Sequence, residues 1–217
     1  RWEYNVYSGF KRELIGLEDL PEEVSKEAQI VDLLEDKGII EQESVFDAMA
    51  SSYPAQYTTE TGIPSNKWDN VTTTLSDIST EMLHYVQVPM NHIVIDFDLK
   101  NTDGEKDLYL NLEAIAKFPP TYTELSKSGK GIHLHYIYDG DVTKLEKLYE
   151  DDIEIKVFTG KSSLRRQLTK CNNLEVAHIT TGLPEKKEGG VKLYNDVKII
   201  VWDEKRMRTA VKGNLEK

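Results

Sequence analysis

The chain has little with which to cross-link itself and nothing with which to cross a membrane. Of 217 residues, Cys171 is the only cysteine. A single thiol excludes an internal disulfide and a cysteine-rich structural zinc site, and it fits a reducing compartment, the cytoplasm. No run approaches the roughly 20 apolar residues that span a bilayer, and no leader peptide is visible. Proline and glycine are sparse, at 7 and 13 residues, and low-complexity tracts and internal repeats are absent. With 39% hydrophobic and 30% charged residues, what remains is an ordinary globular composition, long enough to bury a core. The chain opens on Arg1 and closes on a charged run at Lys217, which reads as a domain excised from a longer protein.

Net positive charge is also missing. The formal charge is −11, an obstacle to any nucleic-acid role until its distribution is examined. Residues 1–92 carry 17 acids and 6 bases, and residues 93–217 carry 21 of each, so the whole excess lies in the first part. A phosphate-binding surface therefore belongs in the second part.

The hydrophobic pattern predicts a mixed α+β fold. Residues 1–8 alternate as a strand, and 22–36 and 41–50 have helical spacing, with Val24, Ala28, Val31 and Leu34 (and Ile30) on one face and Gly38 as the stop. Residues 51–72 read as loop and 75–85 as helix. From residue 92 strands dominate, at 92–99, TYTELS, 132–138, 153–158, 164–168, 176–180 and 198–202. Helices are expected at 107–117, ended by Pro119-Pro120, at 143–149, and as a basic terminal helix at 203–216. The organisation expected is an acidic, largely helical portion at 1–90 packed on a core at 91–217.

Three motifs carry chemistry. Asp96 and Asp98 end the strand HIVIDFDL, and alternation puts both carboxylates on one face, where they repel each other unless a cation lies between them. Oxygen-only ligation suits Mg²⁺ or Mn²⁺. A short DxD is as readily a turn cap beside a solvated acid. Next, SKSGKGIHLHY sets a basic glycine-containing turn before a strand with His133 and His135 on one face. Gly129 and Gly131 let backbone N–H groups approach an anion, with Lys130 adding charge. Last, Glu154 lies between Ile153 and Ile155 on a strand, an acid that needs a partner. After it Lys156, Lys161, Arg165, Arg166 and Lys170 follow with no acid among them, a pattern suited to phosphate and otherwise found on solvated faces.

In that order, IVIDFD, SKSGKGIHL and IEIK resemble the archaeo-eukaryotic primase superfamily, and TYTELSKSGKGIHLHY is similar to the phage and plasmid primase-polymerase form of its second motif. HITTGLPEKK and RTAVKGNLEK look similar to segments that, in phage primases, precede a helical region and a helicase module. The resemblance covers residues 90–217. The third acid is Glu154 where the family more often has Asp. It implies a catalytic core with an RRM-like antiparallel or mixed sheet, Asp96, Asp98 and Glu154 as metal ligands, and His133 on the incoming nucleotide's phosphates. It further implies Ser128, Lys130 and Lys156 lining the nucleotide site, with Arg165 and Arg166 as triphosphate or template contacts. The expected activity is template-directed primer synthesis from NTP or dNTP on single-stranded DNA, with Mg²⁺ or Mn²⁺ as cofactor and a C-terminal helicase module as a further partner. Two other readings of the same residues stay open. The His133/His135 pair also suits a rolling-circle initiator or relaxase with Tyr149 as nucleophile, and a catalytically silent primase-like module would bind nucleic acid without turnover.

Overall fold

The six residues His92–Phe97 decide the architecture. Their run of β-branched side chains favours an extended backbone, and all six are buried. In the structure, a computed structural model that describes residues 22–40 and 43–186, they form the central strand of the main sheet. Numbered in chain order, the strands are β1 (Ala55–Tyr57), β2 (His84–Val86), β3 (His92–Phe97), β4 (Thr123–Leu125), β5 (Ile132–Tyr138), β6 (Leu148–Glu150), β7 (Ile153–Val157), β8 (Leu164–Arg166) and β9 (Ala177–Ile179). The helices are α1 (Glu22–Asp36), α2 (Val45–Met49) and α3 (Leu108–Ile115). The main sheet has the order β4-β5-β3-β7-β6, antiparallel throughout, with β9 added parallel to the far half of β5. The α+β expectation stands.

Alternation sends Ile93, Ile95 and Phe97 to one face of the sheet, where Leu134, Ile153 and Ile155 join them under α1 and α3. α1 contributes Ile30, Leu33 and Leu34 to this core, while Val31, expected on the inner face, is 53% exposed. α1 ends as foreseen at Gly38, whose φ of +65° lets its N–H reach Glu35 O at 2.9 Å while Ile39 N–H reaches Leu34 O at 2.8 Å. α3 begins at Asp107, which accepts from Tyr109 N–H at 2.9 Å and pairs with Lys26 of α1 at 2.6 Å.

On the other face a three-stranded antiparallel sheet, β1-β2-β8, packs with α2 over Val94 and Tyr122, burying Phe46, Val86, Leu164 and Cys171. The described residues before position 91 thus contribute two strands as well as helices, and β2 pairs directly with β8 from the later part of the chain. Three local expectations are corrected here. Residues 51–72 contain β1, and 75–85 form one short turn (Leu75–Asp77) followed by β2. Residues 143–149 hold a single turn (Val142–Lys144) and then β6, which hairpins onto β7. In each case strand pairing, with a distant partner for β1 and β2 and with the adjacent β7 for β6, overrides the local pattern. Helix 41–50 shortens to α2, capped by Ser44 accepting from Asp47 N–H at 3.2 Å. The expected elements at 1–8, 198–202 and 203–216 lie outside the described residues. The described chain up to Pro184 belongs to one compact unit, and Glu185 and Lys186 begin another.

Ile95 is fully buried between Leu134 and Ile155 on the neighbouring strands. Ile95→Ala is expected to cost about 2–5 kcal/mol and Ile95→Val about 0.5–1.5 kcal/mol in urea denaturation, with the m-value unchanged.

Candidate functional site

The second layer covers Val94 but stops short of the end of β3, and the polar residues there come into register. Asp96 faces His133 on β5 and Glu154 on β7, and His133 in turn faces Glu124 on β4. Directly opposed residues share a sheet face with their Cβ atoms about 5 Å apart. The result is a transverse row, Glu154, Asp96, His133 and Glu124, crossing four strands. Asp98, two residues on from Asp96, continues the same face. A cavity of about 350 Å³ opens there, walled by Asp96, Asp98, Asp152, Glu154 and three lysines. An adjoining one of about 240 Å³ is lined by Asp96, His133, Ser126, Lys127, Arg165 and Gln167.

Two loops are tied together to build this end of the sheet. Asn111 of α3 is fully buried, accepts from Leu99 N–H at 3.0 Å and donates to Lys130 O at 2.8 Å. It thereby holds the turn after β3 against the SKSGKG turn. Gly131 is required at the junction, because a Cβ there would lie 2.6 Å from Asp98 Oδ1 and 2.9 Å from Ser126 Oγ. Gly129, at φ +70°, turns the chain.

The acids are neutralised by ammonium groups. Lys156 binds Asp96, Lys106 lies 2.6 Å from Asp98, and Lys100 lies 2.5 Å from Asp152. Burial pushes the Asp96 pKa up, but His133 and Lys156 outweigh it and hold the carboxyl well below the usual range. Burial likewise opposes a charged His133, yet the Asp96 and Glu124 carboxylates raise it to about 9. Four carboxylates around one cavity, matched by three flexible lysines and, at Asp96, by His133, form a donor set that suits a hard divalent cation.

Beneath the row lies a buried ionic network. Arg166 is 2% exposed, and its guanidinium donates to Glu124 Oε2 at 2.8 and 3.1 Å and to Asp47, and lies 4.8 Å from the Phe46 ring centre. Tyr122 donates to Glu124 Oε2 at 3.0 Å. Burial favours protonated Glu124, but the Arg166 charge, aided by His133 and His135, keeps it ionised. His135 and His92 are both lowered, chiefly by burial, and share one proton across 3.0 Å as a neutral pair. Glu124, His133 and His135 bring three potential metal-donor atoms within 4.8 Å of one another.

The structure therefore brings Asp96, Asp98, Glu154 and His133 together, with Lys156 on Asp96 and Arg165 on the cavity wall. Arg166 also borders the smaller cavity, with its side chain buried against Glu124 and Asp47. Ser128 and Lys130 line neither cavity. Ser128 Oγ meets Ser126 Oγ at 3.1 Å, and Lys130 pairs with Glu105 at 3.7 Å. The Lys130 and Gly131 N–H groups, expected to face an anion, point to Ser128 Oγ and Ser126 Oγ. Sequence reasoning missed Glu124, Asn111, Lys106, Ser126 and Lys127. Glu124 left one signal, an acid inside the apolar strand YTEL. No known protein family matches the chain, and no curated protein does.

Arg166→Met leaves Glu124 charged and unpaired in the interior, and is expected to cost about 3–5 kcal/mol by chemical denaturation, with part regained in the Arg166→Met/Glu124→Gln double variant. Because the His133 pKa is raised on folding, its contribution to stability is fully present below about pH 6.5 and is lost as pH rises through about 9. Metal-free wild type is thus expected to lose stability across that window relative to His133→Gln, as read from denaturation midpoints.

Proposed function

We propose that the chain is the catalytic domain of a primase or primase-polymerase of archaeo-eukaryotic type, joining nucleotides on a single-stranded DNA template. The observation that carries this reading is the register that sets Glu154 and His133 on either side of Asp96, with Asp98 on the same face. The first and third motifs, 58 positions apart at their extremes (154 − 96), meet at the larger cavity, and His133 of the second lines the adjoining one together with Asp96 and Asp98.

Asp96, Asp98 and Glu154 are the residues that would hold Mg²⁺ or Mn²⁺. Such ions supply activation of an attacking 3′-hydroxyl and neutralisation of the pyrophosphate that leaves. The protein's own part is positioning and charge. Lys156, 40% exposed, is long enough to leave Asp96 and turn to phosphate. His133, cationic at neutral pH, offers an N–H from Nε2 at the edge of the smaller cavity, where Arg165 and Lys127 add positive charge. Single-stranded template and NTP or dNTP are the partners this reading requires, in a cytoplasmic setting. No helix among the described residues is long and apolar enough to cross a membrane.

The nickase alternative requires Tyr149 near the histidine pair. Tyr149 instead packs on the helical side of the sheet, its ring 5.0 Å from that of Phe118, which in turn meets Phe97. His133 and His135 occupy the opposite face.

Incubation with labelled nucleotides, Mn²⁺ or Mg²⁺ and a single-stranded template tests the reading. Wild type is expected to form polymer, and Asp96→Asn and Asp98→Asn to lose at least about a hundredfold in rate while keeping the wild-type circular dichroism spectrum. Near-normal rates in either variant, or template binding with no polymer from wild type, would refute it. His133→Ala is expected to raise KM for nucleotide more than it weakens template binding, and Tyr149→Phe to change the rate little.

A further inference from the structure

Glu124 and His135 take no part in the chemistry proposed above, yet with His133 they bring three possible metal-donor atoms together in the interior. Glu124 Oε1 stands 3.5 Å from His133 Nδ1 and 3.5 Å from His135 Nε2. Neither nitrogen has a hydrogen-bond partner, although the His135 side chain is 0% exposed and that of His133 13%. Buried nitrogens without partners are rare, because the lost hydration has no replacement. Here both point at the same carboxylate oxygen.

We propose that Glu124, His133 and His135 form a buried site for Zn²⁺, distinct from the acidic row. Three features support it. In a tetrahedral site with bonds of about 2.0–2.1 Å, neighbouring ligand atoms stand about 3.4 Å apart, and both O–N edges here are 3.5 Å. The third edge, at most 4.8 Å, closes with a small rotation of either imidazole. Second, the remote nitrogens are already anchored. His133 Nε2 lies 3.3 Å from Asp96 Oδ1, and His135 Nδ1 lies 3.0 Å from His92 Nε2. A ring whose far N–H is held by a carboxylate or another acceptor presents its near lone pair to a metal, the usual outer-shell support of zinc-bound histidine. Third, Arg166 and Tyr122 engage Glu124 Oε2 at 2.8 and 3.0 Å, which leaves Oε1 as a single oxygen ligand. Two nitrogens and one oxygen select a borderline-soft ion over Mg²⁺, which takes oxygen.

Zinc on Nδ1 releases to solvent the proton that His133 carries there at neutral pH and leaves Nε2–H facing Asp96, with the ion supplying the positive charge in its place, so the site is compatible with the polymerase reading and does not depend on it. Zn²⁺ would set the tautomer and orientation of His133 and couple β4 to β5 within the sheet.

The test uses the whole chain without nucleotide. Histidine side-chain ¹⁵N spectra are recorded on wild type before and after one equivalent of Zn²⁺, and again with Mg²⁺. The expected result is a coordination shift at His133 Nδ1 and His135 Nε2 with Zn²⁺ and none at either with Mg²⁺. No movement of His135 Nε2 at one equivalent of Zn²⁺ overturns the proposal without recourse to any variant. In equilibrium dialysis, His135→Gln, checked for folding by circular dichroism, is expected to bind Zn²⁺ at least about tenfold more weakly, and Asp98→Asn to bind it as wild type does. The reverse pattern would place the ion on the acidic row and refute the buried site.

Discussion

The register of β3 between β5 and β7 is the constraint on which the acidic end of the sheet depends. Side chains alternate along a strand, so a slip of one residue would carry Asp96 into the helical core and Ile95 into the cavity. The apolar face prevents this. Ile93, Ile95 and Phe97 are each fully buried in the core under α1 and α3, and a one-residue slip would expose all three. Hydrophobic burial on one face therefore fixes the polar chemistry on the other, since burying each such side chain is worth about 1.5–3 kcal/mol against about 0–1 kcal/mol for an ion pair at the surface.

That polar face is stabilised in two tiers. Near solvent, flexible lysines neutralise Asp96, Asp98 and Asp152, an arrangement that a stronger cation can displace. In the interior, Arg166 is locked between Glu124 and Asp47 and stacked on Phe46, with no exposed surface on its side chain. A buried ion pair contributes less to stability than its Coulomb energy suggests, because both charges have been desolvated. Its consequence here is specificity of position: Glu124 is ionised where His133 can use it, and the short strands β4 and β8, from different sheets, are joined through side chains. The same network explains why an acidic chain can hold a cationic imidazole beside its acids.

Rigidity at this end comes from small details. Asn111 bridges two loops with one side chain, and Gly131 allows the SKSGKG turn to approach Asp98 more closely than any residue with a Cβ could. These features convert a flat strand end into a walled cavity. The turn itself uses its N–H groups on its own serines, so the positive potential facing the cavity comes from Lys127, Arg165 and Lys156 instead.

Much of this was legible in one dimension. HIVIDF reads as a strand because its run is β-branched, and strand periodicity alone placed Asp96 with Asp98 and His133 with His135. Gly38 marked a helix end because glycine accepts a positive φ, and Pro119-Pro120 because proline cannot continue a helix. The short elements were not legible: β1, β2 and β6 have three residues each, and at that length local spacing carries less energy than pairing with a partner strand. Nor could the sequence reveal that Arg166 turns inward while its neighbour Arg165 faces the cavity, since alternation gives two faces without saying which one is covered. Local propensity and period are properties of neighbouring residues, and they determined which side chains share a face. Which face meets solvent, and which acid meets which histidine across the strands, depends on contacts between segments far apart in the chain, and only the tertiary structure decided that.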